Sequence, residues 1–160
     1  MNRRCMLALI ALTSTSFGAP MTASIASAQS ADEGIKAASM AFYAALAVLD
    51  DGAAMEKVWA LTDYVTYVGP RSKTIIVGWK AQKQYWIDTN KAFVQRNVSI
   101  TDSRIHANGN LAWEVGQETG DVKMKDGSAP KTDYIVTNVY EKQANGRWLI
   151  VSHHVQPKPQ

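Results

Sequence analysis

VSITDSRIHANGNLAWEVGQETGDV, residues 98–122, and DYIVTNVYEKQANGRWLIVSHHV, residues 133–155, decide the fold class. Each is rich in β-branched and aromatic residues and is interrupted by one Asn-Gly pair, Asn108-Gly109 and Asn145-Gly146. Both residues of such a pair tolerate positive φ, so the dipeptide marks a tight hairpin turn. Strands are therefore expected over Val98–His106, Leu111–Val122, Tyr134–Glu141 and Trp148–Val155. Lys125-Asp126-Gly127-Ser128 turns the chain between the second and third. The last third of the chain is a long antiparallel meander.

Outward from there toward the N-terminus, the period changes. Ile35, Ala38, Phe42, Ala45, Leu46 and Leu49 recur at helical spacing, behind a capping-box pair at Ser30 and Glu33. Asp50-Asp51-Gly52 ends this helix, and a short helix with Met55, Val58 and Trp59 follows. Tyr64–Val68 and Thr74–Val77 read as two short strands around Gly69-Pro70-Arg71-Ser72. A third helix spans about Gly78 to Phe93, with Trp79, Gln82, Trp86, Thr89 and Phe93 on one side. The order is α-α-β-β-α-β-β-β-β, an α+β chain with its helices first.

This order resembles the NTF2-like superfamily, also called SnoaL-like. The segment Trp59-Ala60-Leu61-Thr62-Asp63-Tyr64-Val65-Thr66-Tyr67-Val68-Gly69-Pro70 is similar to the family's passage from second helix to first strand. Gly78-Trp79-Lys80-Ala81 resembles the start of its third helix, and Gly146-Arg147-Trp148-Leu149-Ile150-Val151-Ser152-His153-His154 its final strand. The resemblance implies an NTF2-like (cystatin-like) cone: three N-terminal helices packed on a curved, mixed, mostly antiparallel sheet, with a pocket inside. It is nearly silent on chemistry, because one fold hosts many functions.

The N-terminus reads as a secretory signal over residues 1–28: Arg3 and Arg4, an apolar core Cys5–Leu12, then small residues ending Ala26-Ser27-Ala28. The expected localisation is periplasmic or secreted, with cleavage after Ala28. The apolar core is shorter than the roughly 20 residues a spanning helix requires, so no stable membrane anchor is expected. Removing it takes away the only cysteine, Cys5, and lowers the formal charge from +3 to +1. A near-neutral domain argues against nucleic-acid binding. Residues 29–156 make one domain, and 157–160 a frayed tail.

The aromatic complement points to a partly apolar pocket for a small organic molecule. Its expected walls are Tyr43, Trp59, Tyr67, Trp79, Trp86, Trp113 and Tyr134, with Asn138, although any one of these rings could equally be core. His153 and His154 are consecutive on a strand and face opposite ways. Unbroken alternation puts His154 with Trp148, Ile150 and Ser152, and His153 with Leu149 and Val151; the resemblance implies that one of the two, His154 ahead of His153, points into the cone. There His154, with a tyrosine such as Tyr64, could serve as acid or base. The other reading of His154 is a hydrogen-bonded structural histidine.

The ketosteroid isomerase branch keeps a tyrosine on the first helix, which Tyr43 matches. It also keeps carboxyls at two positions held here by Gly69 and, by register, Val136. That absence favours a binding domain over an isomerase. Arg71 and Lys73 stand where they could reach an anionic ligand, or form a solvated turn. No metal-ligand spacing, cofactor motif or nucleotide loop is present, so no cofactor and no metal are expected. Trp148-Leu149-Ile150-Val151 is apolar on both faces, which calls for cover on the outer face as well. A homodimer through the outer sheet face supplies it. A lyase, isomerase or hydrolase and a non-catalytic assembly module are the competing readings.

Overall fold

The computed structural model describes residues 20–158, with side chains from residue 31 onward. The first 19 residues of the expected signal, and Pro159 and Gln160 of the expected tail, lie outside the described residues. Nine elements follow in the anticipated order. They are α1 (Pro20–Ala47), α2 (Ala53–Glu56), β1 (Thr66–Val68), β2 (Ile76–Val77), α3 (Trp79–Asn90), β3 (Phe93–Asn108), β4 (Leu111–Met124), β5 (Lys131–Lys142) and β6 (Trp148–Pro157). One six-stranded sheet, in the order β2-β1-β6-β5-β4-β3, carries the fold. Only β1 and β6 run parallel; the other pairs are antiparallel.

The helix α1 lays Ile35, Ser39, Phe42, Tyr43 and Leu46 against the inside of the sheet, all nearly inaccessible. These positions share one helical face. Two local expectations change. The helix runs through Ser30 unbroken, so Ser30 and Glu33 do not cap it. Gly52 adopts φ 93° at the entry to α2, not at the exit of α1. Asp50 sets that entry by accepting from the Gly52 and Ala54 amides, each at 2.9 Å. Its carboxylate thus caps the α2 start.

Two irregularities decide which side chains enter the cone. Along β6, Tyr140 pairs with Ile150 while Val139 pairs with Ser152, which leaves Val151 as an extra residue. A bulge of this kind reverses the in-out phase of everything beyond it. Trp148 and Ile150 point inward before it; Val151, His153 and Val155 are buried after it. His153 therefore faces the interior and His154 the solvent, the reverse of unbroken alternation. The same bulge accounts for the apolar run on both faces of β6 without outer cover. A second bulge near Asp102 in β3 (φ 50°) keeps Ser103 and Ile105 directed toward β4's inner row.

That inner row is the other surprise. In β4 the inward residues are Ala112, Glu114, Gly116 and Glu118, all buried, and the outward ones are Leu111, Trp113 and Val115, all exposed. The apolar alternation of this strand marks its outer face.

Candidate functional site

A pocket of about 110 Å³ opens between α3, the end of α1 and the inner face of the sheet. Its floor is His153 from β6, Glu118 from β4, Tyr67 from β1 and Arg96 from β3. Each of these four is at most 6 % exposed. Its mouth is Pro70, Arg71, Pro130 and Lys131, all exposed. The space is smaller than the ~150 Å³ of a closed cavity that accommodates benzene, so a single ring that enters keeps part of its bulk in the open mouth.

The floor is held by a chain of buried hydrogen bonds. Glu114 accepts from Ser103 (2.7 Å), Asn138 Nδ2 (3.1 Å) and Tyr140 (2.7 Å). With its amide nitrogen so committed, Asn138 presents Oδ1 to His153 Nδ1 at 2.7 Å. Nδ1 must then carry the proton, and Nε2 keeps its lone pair. The imidazole stacks on Tyr67 (5.3 Å, 9°) and abuts Phe42 at 5.0 Å. Glu118 Oε2 lies 3.8 Å from Nε2 and accepts from the Tyr43 hydroxyl at 3.4 Å.

Burial governs both titrating groups. Desolvation raises the Glu118 carboxyl to about 7, against the lowering effects of Tyr43's hydrogen bond and Arg96's charge. Desolvation, with the neighbouring His154, depresses His153 to about 3. The 3.8 Å approach is thus not an ion pair. Between pH 3 and 7 both groups are neutral, and above that Glu118 alone is charged. A protonated Glu118 can donate to the bare Nε2 once a small movement closes the gap.

The expected residues divide. Tyr67 and Tyr134 line the pocket, and Tyr43 touches its floor through Glu118. Asn138 is fully buried behind the floor and orients His153. Trp59 and Trp86 are core, packed on the far sides of Phe42 and Tyr67. Trp79 sits half-buried in a shallow groove with Leu61 and Val77, away from the cone interior. Trp113 is 44 % exposed on the outer face, against His106 at 4.4 Å. Tyr64 is exposed and donates to Glu141 at 2.9 Å, so it is no pocket residue. His154 is exposed as well. Glu118 and Arg96 were not anticipated from the sequence, and His153 takes the inward place expected first of His154.

Gly69 and Val136 are both buried. At Gly69 an added Cβ would lie 2.3 Å from the Tyr67 hydroxyl, so that place is filled by the tyrosine. Val136 is fully buried on β5, paired with Gly116. The pocket's carboxyl comes instead from β4. Lys73 is exposed and does not line the pocket, whereas Arg71 does. Among the described residues no three of His, Cys, Asp and Glu gather as a metal set. No helix among them is long and apolar enough to cross a membrane.

The SnoaL-like domain model matches residues 35–156, and the chain belongs to that family. A comparison with curated proteins gives no match. Among solved structures, it is similar to a Thiobacillus denitrificans protein named after the calcium/calmodulin-dependent protein kinase type II association domain. Identity there is 26 %, over 78 % of this chain and 94 % of that one, with a TM-score of 0.64. A candidate dehydratase of the NTF2-like family from Streptomyces avermitilis is 19 % identical over 80 % and 97 %, TM-score 0.70. A ketosteroid isomerase-like protein from Erwinia carotovora atroseptica is 17 % identical over 80 % and 96 %, TM-score 0.66. The last two likenesses define the NTF2-like fold alone.

Proposed function

We propose that the pocket binds a small, partly apolar organic molecule and that Glu118 moves a proton on it, as in isomerisation or dehydration. The observation that carries this reading is a buried carboxyl with a midpoint near 7, facing a pocket open to solvent. A general acid or base is most effective when its pKa lies near the working pH, and perturbed carboxyls concentrate at such sites. As a base, Glu118 takes a proton from carbon next to a carbonyl. The electron pair passes into the C–O unit, and the same carboxyl returns the proton to the conjugated carbon. Tyr43 positions the carboxyl through its hydrogen bond, and His153 stands beside it at 3.8 Å; neither changes charge near neutrality, because burial depresses the imidazole and raises the phenol.

Deuterium uptake from D2O into one-ring ketones, followed by proton NMR, tests this. Glu118→Gln is expected to lower the rate by ~10²–10⁴. Equal rates in both proteins would leave the pocket as a binding site without chemistry. That second reading is favoured by the 3.8 Å gap to His153, longer than a hydrogen bond.

Two expectations join the proposal. Export with cleavage after Ala28 would leave the buried residues described on α1, from Ile35 on, in the mature domain. Pairing of two copies through the outer sheet face is supported by the exposed Leu111, Trp113 and Val115 of β4. Trp113→Glu should then shift the molecular mass measured by light scattering from dimer to monomer; an unchanged mass refutes that interface.

A further inference from the structure

Arg96 is 6 % exposed yet has no carboxylate partner among the described residues. Its Nε donates to the Leu46 carbonyl (2.6 Å) and one Nη to Asn90 Oδ1 (2.8 Å), both neutral acceptors. The guanidinium lies 4.9 Å from the Phe93 ring centre and 5.6 Å from Trp86. Arg71 approaches the same Phe93 ring at 5.7 Å, so the two arginines share one aromatic wall. Lys131 stands at the mouth. Against these three cations the pocket lining carries one carboxyl, Glu118.

A buried charge left without an opposite charge is costly. Two neutral hydrogen bonds and two ring faces cover part of the guanidinium. The other terminal nitrogen of Arg96 makes no hydrogen bond among the described residues, and Arg96 lines the cavity. A planar fork of this kind suits carboxylate and phosphate alike, and a cavity of about 110 Å³ beside the Phe93 ring favours the smaller, planar carboxylate on an apolar body.

Resting on the reading of this cavity as a ligand site, we infer that its ligand is a small organic carboxylate. Its charged end meets Arg96 and Arg71, and its apolar body lies along Phe93 toward Tyr67 and His153. The carboxylate supplies the close counter-charge that Arg96 lacks, since Glu118 acts on the guanidinium only from beyond salt-bridge distance, and Glu118 stays free for the far end of the molecule. Positive potential at the mouth also speeds capture of an anion at low salt.

Benzoate and benzamide separate charge from shape, because they share one ring and differ in the ionised group. Titrating each into the full chain, with the Trp86 indole and His153 ring followed by NMR, should show benzoate binding at least tenfold more tightly. That preference should shrink in 0.5 M salt. Arg71→Gln should weaken benzoate about threefold and leave benzamide unchanged, in keeping with an exposed ion pair. Arg96→Lys, which keeps the charge but loses the fork, should cost benzoate affinity more than Arg71→Gln does. If benzamide binds as well as benzoate, the carboxylate assignment fails while the pocket reading stands. If neither moves those signals, the assignment also fails, and the acid–base reading is then judged by the titration of Glu118 alone.

Discussion

Replacing Glu118 by glutamine should change how stability depends on pH, and the change can be worked from the site. In the folded protein Glu118 titrates at about 7, against 4.5 for an unburied glutamate. The folded state thus holds this proton more tightly than the unfolded state. The stability that the proton confers is fully present below pH 4.5 and is lost as pH rises through 7. Each pKa unit corresponds to 1.36 kcal/mol, so the loss is about 3 kcal/mol. For a domain this size that is on the order of 10 °C in Tm.

His153 acts in the opposite sense. Its folded value of about 3 lies below the ordinary 6.5. Its contribution is present above pH 6.5 and is lost as pH falls toward 3. The two slopes oppose each other from pH 4.5 to 6.5, so wild type alone would look flat there. Only the difference between wild type and Glu118→Gln isolates the carboxyl. Urea unfolding at half-unit steps from pH 4 to 8.5 measures it. Relative to wild type, the variant should gain about 3 kcal/mol between pH 4.5 and 8. Parallel curves would refute the reasoning, since they would mean that Glu118 titrates alike folded and unfolded.

Other consequences follow from the same floor. Tyr43→Phe removes the hydrogen bond that favours the charged carboxyl, and the Glu118 midpoint should rise further by carbon-detected NMR. Asn138→Ala strands the His153 Nδ1 proton and one Glu114 oxygen contact inside the cone. It should cost about 3 kcal/mol in urea unfolding. Gly120→Ala would place a Cβ 2.0 Å from the Asn97 carbonyl oxygen of the adjoining strand. The strands must separate to admit it, so a loss of about 3 kcal/mol in unfolding and changed amide shifts along β3 and β4 are expected.

The order of elements was legible because each is written locally: Asn-Gly turns, a helical apolar face from Ile35 to Leu46, and β-rich runs between them. The site was less so. Alternation in Leu111-Ala112-Trp113-Glu114-Val115 puts the apolar set on one face, and a core is the natural home for apolar residues. In this cone that face is outside, and the inner row is small or acidic to make room for a polar floor. His153 was hidden by the Val151 bulge, which no local turn residue announces. The bulge lies where β6 shifts register against β5, beside the bridge from Ile150 to the backbone of Trp59. Arg96 escaped notice because nothing in Gln95-Arg96-Asn97 distinguishes a buried arginine from a solvated one. Its burial comes from α1 and α3 closing over β3. At Gly69 the Tyr67 hydroxyl occupies the space a side chain would need.

Central to the account is one buried carboxyl poised near neutrality in an open pocket. Labelling the glutamate carboxyls with ¹³C and titrating the full chain from pH 3 to 9 reads it directly, with Glu118→Gln assigning the signal. The account predicts a midpoint close to 7 for Glu118, shifted by ligands that enter the pocket. A midpoint near 4.5, unmoved by them, would contradict it.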